Sequence, residues 1–148
     1  MAIQTDLTNT ALASVETMAY QLTFTAAPKR IYKVHFLAYL VDAGSEGDGT
    51  ASVYPVKNAA IVRGRWAPGA SASDGTVFGA YRVAVFDDDA TAAQGCDCTF
   101  YLTNPPAGQT TVGISIAPSR PATTYGPVAF QPSIGSHLVV EDVGPYSD

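Results

Sequence analysis

"LTFTAAPKRIYKVHFLAYL", residues 22–40, alternates in polarity on both sides of a short basic turn. Leu22, Phe24 and Ala26 share one side of the first segment, interleaved with Thr23, Thr25 and Ala27. After Pro28, Lys29 and Arg30, the side chains of Tyr32, Val34, Phe36, Ala38 and Leu40 leave on one face. Those of Ile31, Lys33, His35, Leu37 and Tyr39 leave on the other. A period of two marks extended backbone, whose successive side chains point to opposite faces. The second segment is almost as apolar on its second face as on its first, so it is expected inside a sheet, with cover on both sides. One face would meet an opposing sheet. The other would be covered by the N-terminal arm or by a partner subunit.

Working outward, the same alternation recurs over 19–27, 31–41, 50–56, 59–66, 77–86, 97–103, 109–117, 124–130 and 136–143. The segments between them are clusters of Gly, Pro, Asp and Ser: 42–49, 67–75, 87–95, 104–108 and 117–124. Ten prolines and 13 glycines, spread along 148 residues, leave no window for a long helix. Many short strands separated by turn signals predict an all-β fold, an antiparallel β-sandwich of jelly-roll-like form. Residues 1–18 are Thr-rich and weakly patterned, and read as an extended N-terminal arm on a single domain covering 19–148. Strands 31–41 and 77–86 are expected in the interior of their sheets, with Tyr32, Val34, Phe36, Val83, Val85, Leu138 and Val140 buried.

Hydrophobic residues make up 47% of the chain and charged ones only 14%, well below the quarter or so of an average protein. The surface is therefore built from Thr, Ser, Ala, Gly and Pro, which suits a protein held among neighbours. Net charge is −5, and all basic residues but Arg120 lie between Lys29 and Arg82. With no basic tract to displace phosphate counterions, nucleic acid and anionic membranes are not expected partners. The first twenty residues lack a basic start and a continuous apolar run, so no signal peptide is expected. The longest apolar run, 36–41, is far too short to span a bilayer.

Few groups suggest chemistry. Cys96 and Cys98 stand two apart on a strand, on one face but too far apart for unstrained disulfide geometry. Together with His35 and His137, distant in sequence, they lack the spacing of a structural zinc site, and the thiols read as buried. Asp42, Glu46 and Asp48, like Asp87, Asp88 and Asp89, lack the closing Glu of a calcium loop. The stretch 113–117, GISIA, has the outline of a nucleophile elbow, but Pro118 and Pro121 preclude the helix that must follow it. Ser115 therefore reads as an ordinary strand residue. No enzymatic activity, metal or cofactor is expected. Interface candidates are Arg63, Arg65 and Trp66, residue types favoured at binding hot spots, with Lys33, His35 and Tyr39 on the second face of strand 31–41. Trp66 reads equally well as a cap on the core.

The Thr-rich start leading to the FTA strand, the basic turn and the strand beginning Arg30-Ile31-Tyr32-Lys33-Val34 resembles small virion proteins of long-tailed phages that infect actinobacteria. The closing GSHLVVEDVGP, residues 135–145, resembles the ending of the same group. The likeness covers about a quarter of the chain, and its motifs are structural. It implies a β-sandwich on the virus particle, assembled in the host cytoplasm. The first expectation is a capsid decoration protein that bridges subunits of the major capsid protein and associates with copies of itself as a trimer. The alternative is a minor tail or adhesin-like protein that binds a host surface glycan or another tail subunit. On either reading the arm is expected to pair with the sheet edge of a neighbouring subunit.

Overall fold

A computed structural model describes residues 1–43, 58–85 and 94–147. The expected strand 50–56, Glu46, Asp48 and Asp87 to Asp89 lie outside the described residues. Within them the order is β1 (Ala2–Thr5), β2 (Thr17–Ala26), β3 (Arg30–Ala43), β4 (Asn58–Pro68) and β5 (Thr76–Val85), then β6 (Gln94–Thr103) and β7 (Gly108–Pro118). A helical turn, α1 (Ala122–Tyr125), precedes β8 (Val128–Gln131) and β9 (His137–Pro145). The strands form two antiparallel sheets, β1-β9-β3-β6 and β2-β7-β4-β5, with β8 continuing the line of β9 along β3. We call these the first and second sheets.

Successive strands mostly change sheet. β2 and β3, the two halves of the 22–40 stretch, do not pair with each other; the chain turns at Lys29, in the left-handed region at φ 55°, and crosses to the opposing layer. Tyr32 locks this arch: its hydroxyl accepts from the Ala27 amide at 2.7 Å, and its ring lies 4.8 Å from that of Phe24. With β8 and β9 taken as one interrupted strand, the order is that of a jelly roll.

The inner faces mesh as the alternation predicts. All seven residues expected in the core are buried. Phe36 stands at its centre, with ring centroids 5.0 Å from Phe130 and 5.7 Å from Tyr20. The phenol of Tyr20 donates to the Thr8 carbonyl at 2.8 Å, which satisfies its one polar atom, and burial raises its pKa. Lower down, Phe100 of β6 enters a depression formed by Gly64 and Gly79, which face each other across β4 and β5. The ladder is irregular between Gly64 and Arg65, leaving Phe78 as the extra residue of β5. That bulge turns Phe78 inward, where its ring meets Phe100 edge-on at 5.8 Å.

Three expectations are corrected. β3 does lie inside its sheet, between β9 and β6, but β5 is the edge of its own, and β7 and β4 take the interior places. The cause is visible in β7, where Thr111, Ser115 and Ala117 on the outer side are as buried as Val112, Ile114 and Ile116 on the inner. β5 instead exposes Ala80, Tyr81 and Arg82. Secondly, the expected strand 124–130 begins only at Val128. Pro121 starts a helical turn with φ −52°, its carbonyl accepts from the amides of Thr124 and Tyr125, and the Arg120 guanidinium rests 4.8 Å from the Tyr125 ring centroid.

Thirdly, the arm takes an edge of its own chain. β1 pairs with β9 from Ala2 opposite Val140 to Thr5 opposite His137. Beyond a left-handed residue at Asp6, the amides of Asp6, Thr10 and Ala13 donate to the carbonyls of Ser136, Phe130 and Val128. Leu7 and Ala13 are buried, and the Leu7 amide donates to Ser136 Oγ at 3.0 Å. The arm thus runs beside β9 and β8 and does not cross the outer face of β3.

Candidate functional site

The two outer faces of the sandwich differ in kind. That of the second sheet is covered over β7 by its own chain. The segment between β4 and β5 folds back across β7: Thr111 Oγ1 donates to the Gly69 carbonyl at 2.6 Å, the Gly69 amide to Gln109 at 2.8 Å, and the Ala72 amide to Gln21 Oε1 at 2.7 Å. Ala72 is fully buried by this fold, and with Met18 it covers Gly113, where a β-carbon would strike the Met18 sulfur.

Glu16 completes the cover. Its Oε1 accepts from Arg65 Nε and from Ser115 Oγ, both at 2.7 Å, and its Oε2 from Arg63 Nη1 at 2.9 Å. Arg63 and Arg65 share a strand face, so one carboxylate on the arm reaches both. The hydrogen bond from Arg65, helped by Ser115 and the charge of Arg63, holds the Glu16 carboxyl well down, from its usual 4.5 to about 2. A carboxylate with a lowered folded pKa contributes stability that is complete above its unfolded pKa and lost as pH falls towards the folded one. Because its side chain is 29% exposed, solvent screening reduces the contribution to about 1–2 kcal/mol. Glu16→Gln is therefore expected to lower stability by that amount at pH 7. Chemical denaturation at a series of pH values should show the gap between the two proteins closing from pH 4.5 towards pH 2.

Among the described residues, no segment lies across the outer face of the first sheet. On it stand Ile31, Lys33, His35, Leu37 and Tyr39 of β3, flanked by Thr99 and Tyr101 of β6, by Val139 and Val143 of β9, and by Ile3 of β1. Tyr39 is 68% exposed, Tyr101 57% and Ile3 53%. Lys33 and Glu141 approach to 3.6 Å, and at one end Arg30 clasps Asp142 through both carboxylate oxygens. In the middle lie both histidines of the chain. His137 sits one row beyond His35 on the neighbouring strand, diagonally within reach. His137 Nε2 is 3.0 Å from His35 Nδ1, His137 Nδ1 is 3.1 Å from the Gly135 carbonyl, and His35 Nε2 is 2.8 Å from Asp97 Oδ1.

The remaining chemical candidates, the cysteine pair, Ser115 and Asp42, lie apart from one another in the fold. Cys96 and Cys98 are buried free thiols with sulfurs 3.9 Å apart; their mutual contact, with burial, raises the pKa of Cys96, so it is a poor nucleophile. Ser115 is buried beneath Glu16 on the second sheet, and His137 belongs to the first. Asp42 is buried at the end of β3, where it accepts from Gln131 Nε2 at 2.7 Å. Among the described residues, no group of three or more His, Cys, Asp or Glu side chains is arranged to hold a metal ion.

A family model described as a domain of unknown function, DUF7298, matches residues 1–148. The chain belongs to the DUF7298 family. No curated protein and no solved structure matches it. In this DUF7298 sandwich the six interface candidates separate. Lys33, His35 and Tyr39 stand together on the outer face of the first sheet. Arg63 and Arg65 lie on the opposite side of the molecule, engaged by Glu16. Trp66 packs partly buried against the core, as a cap. Sequence reasoning missed Tyr101, Ile3 and Val143, whose exposed positions follow only from the register that places β6, β1 and β9 beside β3.

Proposed function

We propose that this protein is a structural component of a virus particle: a capsid decoration protein that docks on the major capsid protein, as a trimer, and stabilises the head without turnover. The observation that carries the reading is the contrast between the two outer faces. One is covered over β7 by the 69–75 segment and by Glu16. The other presents Tyr39, Tyr101, Ile3 and Val143, with half-buried Ile31, Leu37 and Val139, around the Lys33–Glu141 pair and the two histidines, a mixed apolar and aromatic surface of the kind found at protein contacts. The low charge of the chain fits a life among neighbours. The jelly roll is compatible but selects nothing by itself, because capsid, lectin and cupin domains share it. Stacking of a host glycan on Trp66, as an adhesin could use, would need that ring exposed, and it packs partly buried against the core.

Copy number tests the proposal. Quantitative mass spectrometry of purified particles is expected to find tens to hundreds of copies per particle, whereas a tail component would be present in a few. Tyr39→Asp with Tyr101→Asp should abolish binding to particles assembled without the protein, while far-UV circular dichroism stays unchanged. A few copies per particle, or none, would overturn the decoration reading, as would undiminished binding by the double variant.

A further inference from the structure

The two histidines pose a problem of hydrogen-bond arithmetic. The Gly135 carbonyl and the Asp97 carboxylate accept and do not donate, so His137 Nδ1 and His35 Nε2 must each carry their ring's hydrogen to make their bonds. In two neutral imidazoles this leaves bare lone pairs on His137 Nε2 and His35 Nδ1, which face each other at 3.0 Å. A shared proton, or the other His137 tautomer with its Gly135 bond given up, would relieve this, and so would a metal ion bound by both lone pairs.

We propose that His35 and His137 form a bidentate site for a divalent transition metal of nitrogen preference: Ni²⁺, Cu²⁺ or Zn²⁺. Three observations favour a metal. Two nitrogens at about 2.0–2.1 Å from one ion stand about 2.9 Å apart at a right angle and about 3.3 Å apart at the tetrahedral angle, a range that includes the observed separation. Both outer nitrogens rest on a backbone carbonyl or a carboxylate, the partners that orient metal-binding imidazoles and raise their basicity. The site is also reachable, since the His35 side chain is 29% exposed, and the nearest cation, Lys33, is turned towards Glu141. The protein supplies two ligands, and water or a donor from a neighbouring molecule fills the remaining positions. Such a site holds metal without organising the fold, which the core already does. It is independent of the virion reading.

Calorimetric titration of the full chain with Ni²⁺, which spares the buried thiols from oxidation, should give one site per chain. His35→Ala and His137→Ala should each weaken it about a hundredfold, the advantage of two linked ligands over one. Asp97→Asn should weaken it about tenfold through its effect on the His35 ring. With Zn²⁺ and the wild-type chain, ring ¹⁵N resonances should shift at His35 Nδ1 and His137 Nε2, and far less at the outer nitrogens. This measurement needs no variant to fold. Absence of a Ni²⁺ site, binding unchanged in His137→Ala, or Zn²⁺ shifts confined to other nitrogens would overturn the proposal and leave a shared proton or the other His137 tautomer.

Discussion

Deleting residues 2–16 is expected to cost the sandwich at least about 3 kcal/mol of unfolding free energy, and at physiological temperature to leave it largely unfolded. Burying Leu7 contributes about 1.5–3 kcal/mol, and the Glu16 clamp about 1–2 more. The lost backbone bonds to Ser136, Phe130 and Val128 add to this, because their carbonyls pass from protein partners to bare edge. The freed edge of β9 would also be open to pairing with other chains. Urea unfolding of the full and truncated proteins, followed by far-UV circular dichroism, measures the difference directly. A truncated chain as stable as the parent would show that the arm serves another subunit.

Gly79→Ala is expected to be strongly destabilising, at about 3 kcal/mol, the upper part of the usual range for overpacking. A β-carbon there would overlap Phe100 Cδ1. The ring cannot retreat, because Gly64 lies beneath it and Phe78 stands against its edge. A close-packed interior transmits such a clash to the backbone. Phe100→Leu should cost stability alone, yet should recover part of the loss when combined with Gly79→Ala, since the smaller side chain vacates the overlap. Thermal unfolding of the two single variants and the double variant gives the coupling. Additive losses would mean that Phe100 is not what the new methyl meets.

Much of this architecture is legible residue by residue. Alternation in β3, β6 and β9 assigns each side chain to a face, because extended backbone has a period of two wherever it occurs. The inward set from Tyr32 to Phe36 and the pair Leu138 and Val140 follow from that period alone. So does the burial of Cys96 and Cys98 on one face of β6. The turns are equally local, because Gly, Pro and Asp act through their own backbone preferences.

What period two cannot reveal is which strand lies beside which. An interior strand and an edge strand alternate alike, so β5 and β7 could be ranked only once the 69–75 segment and Glu16 were seen to cover β7. The arm reads as needing a neighbour because it is polar and weakly periodic; its Leu7 and Ala13 are buried by the edge of their own chain that they follow. The sequence by itself determined the class of fold, the faces and the core, because these depend on local backbone geometry and the hydrophobicity of single residues. Only the tertiary structure decided that β7 is covered on its outer side and that, among the described residues, no segment crosses the outer face of β3. It alone joined His35 to His137 across 102 positions, because strand neighbourhood and register arise from long-range packing that no local segment encodes.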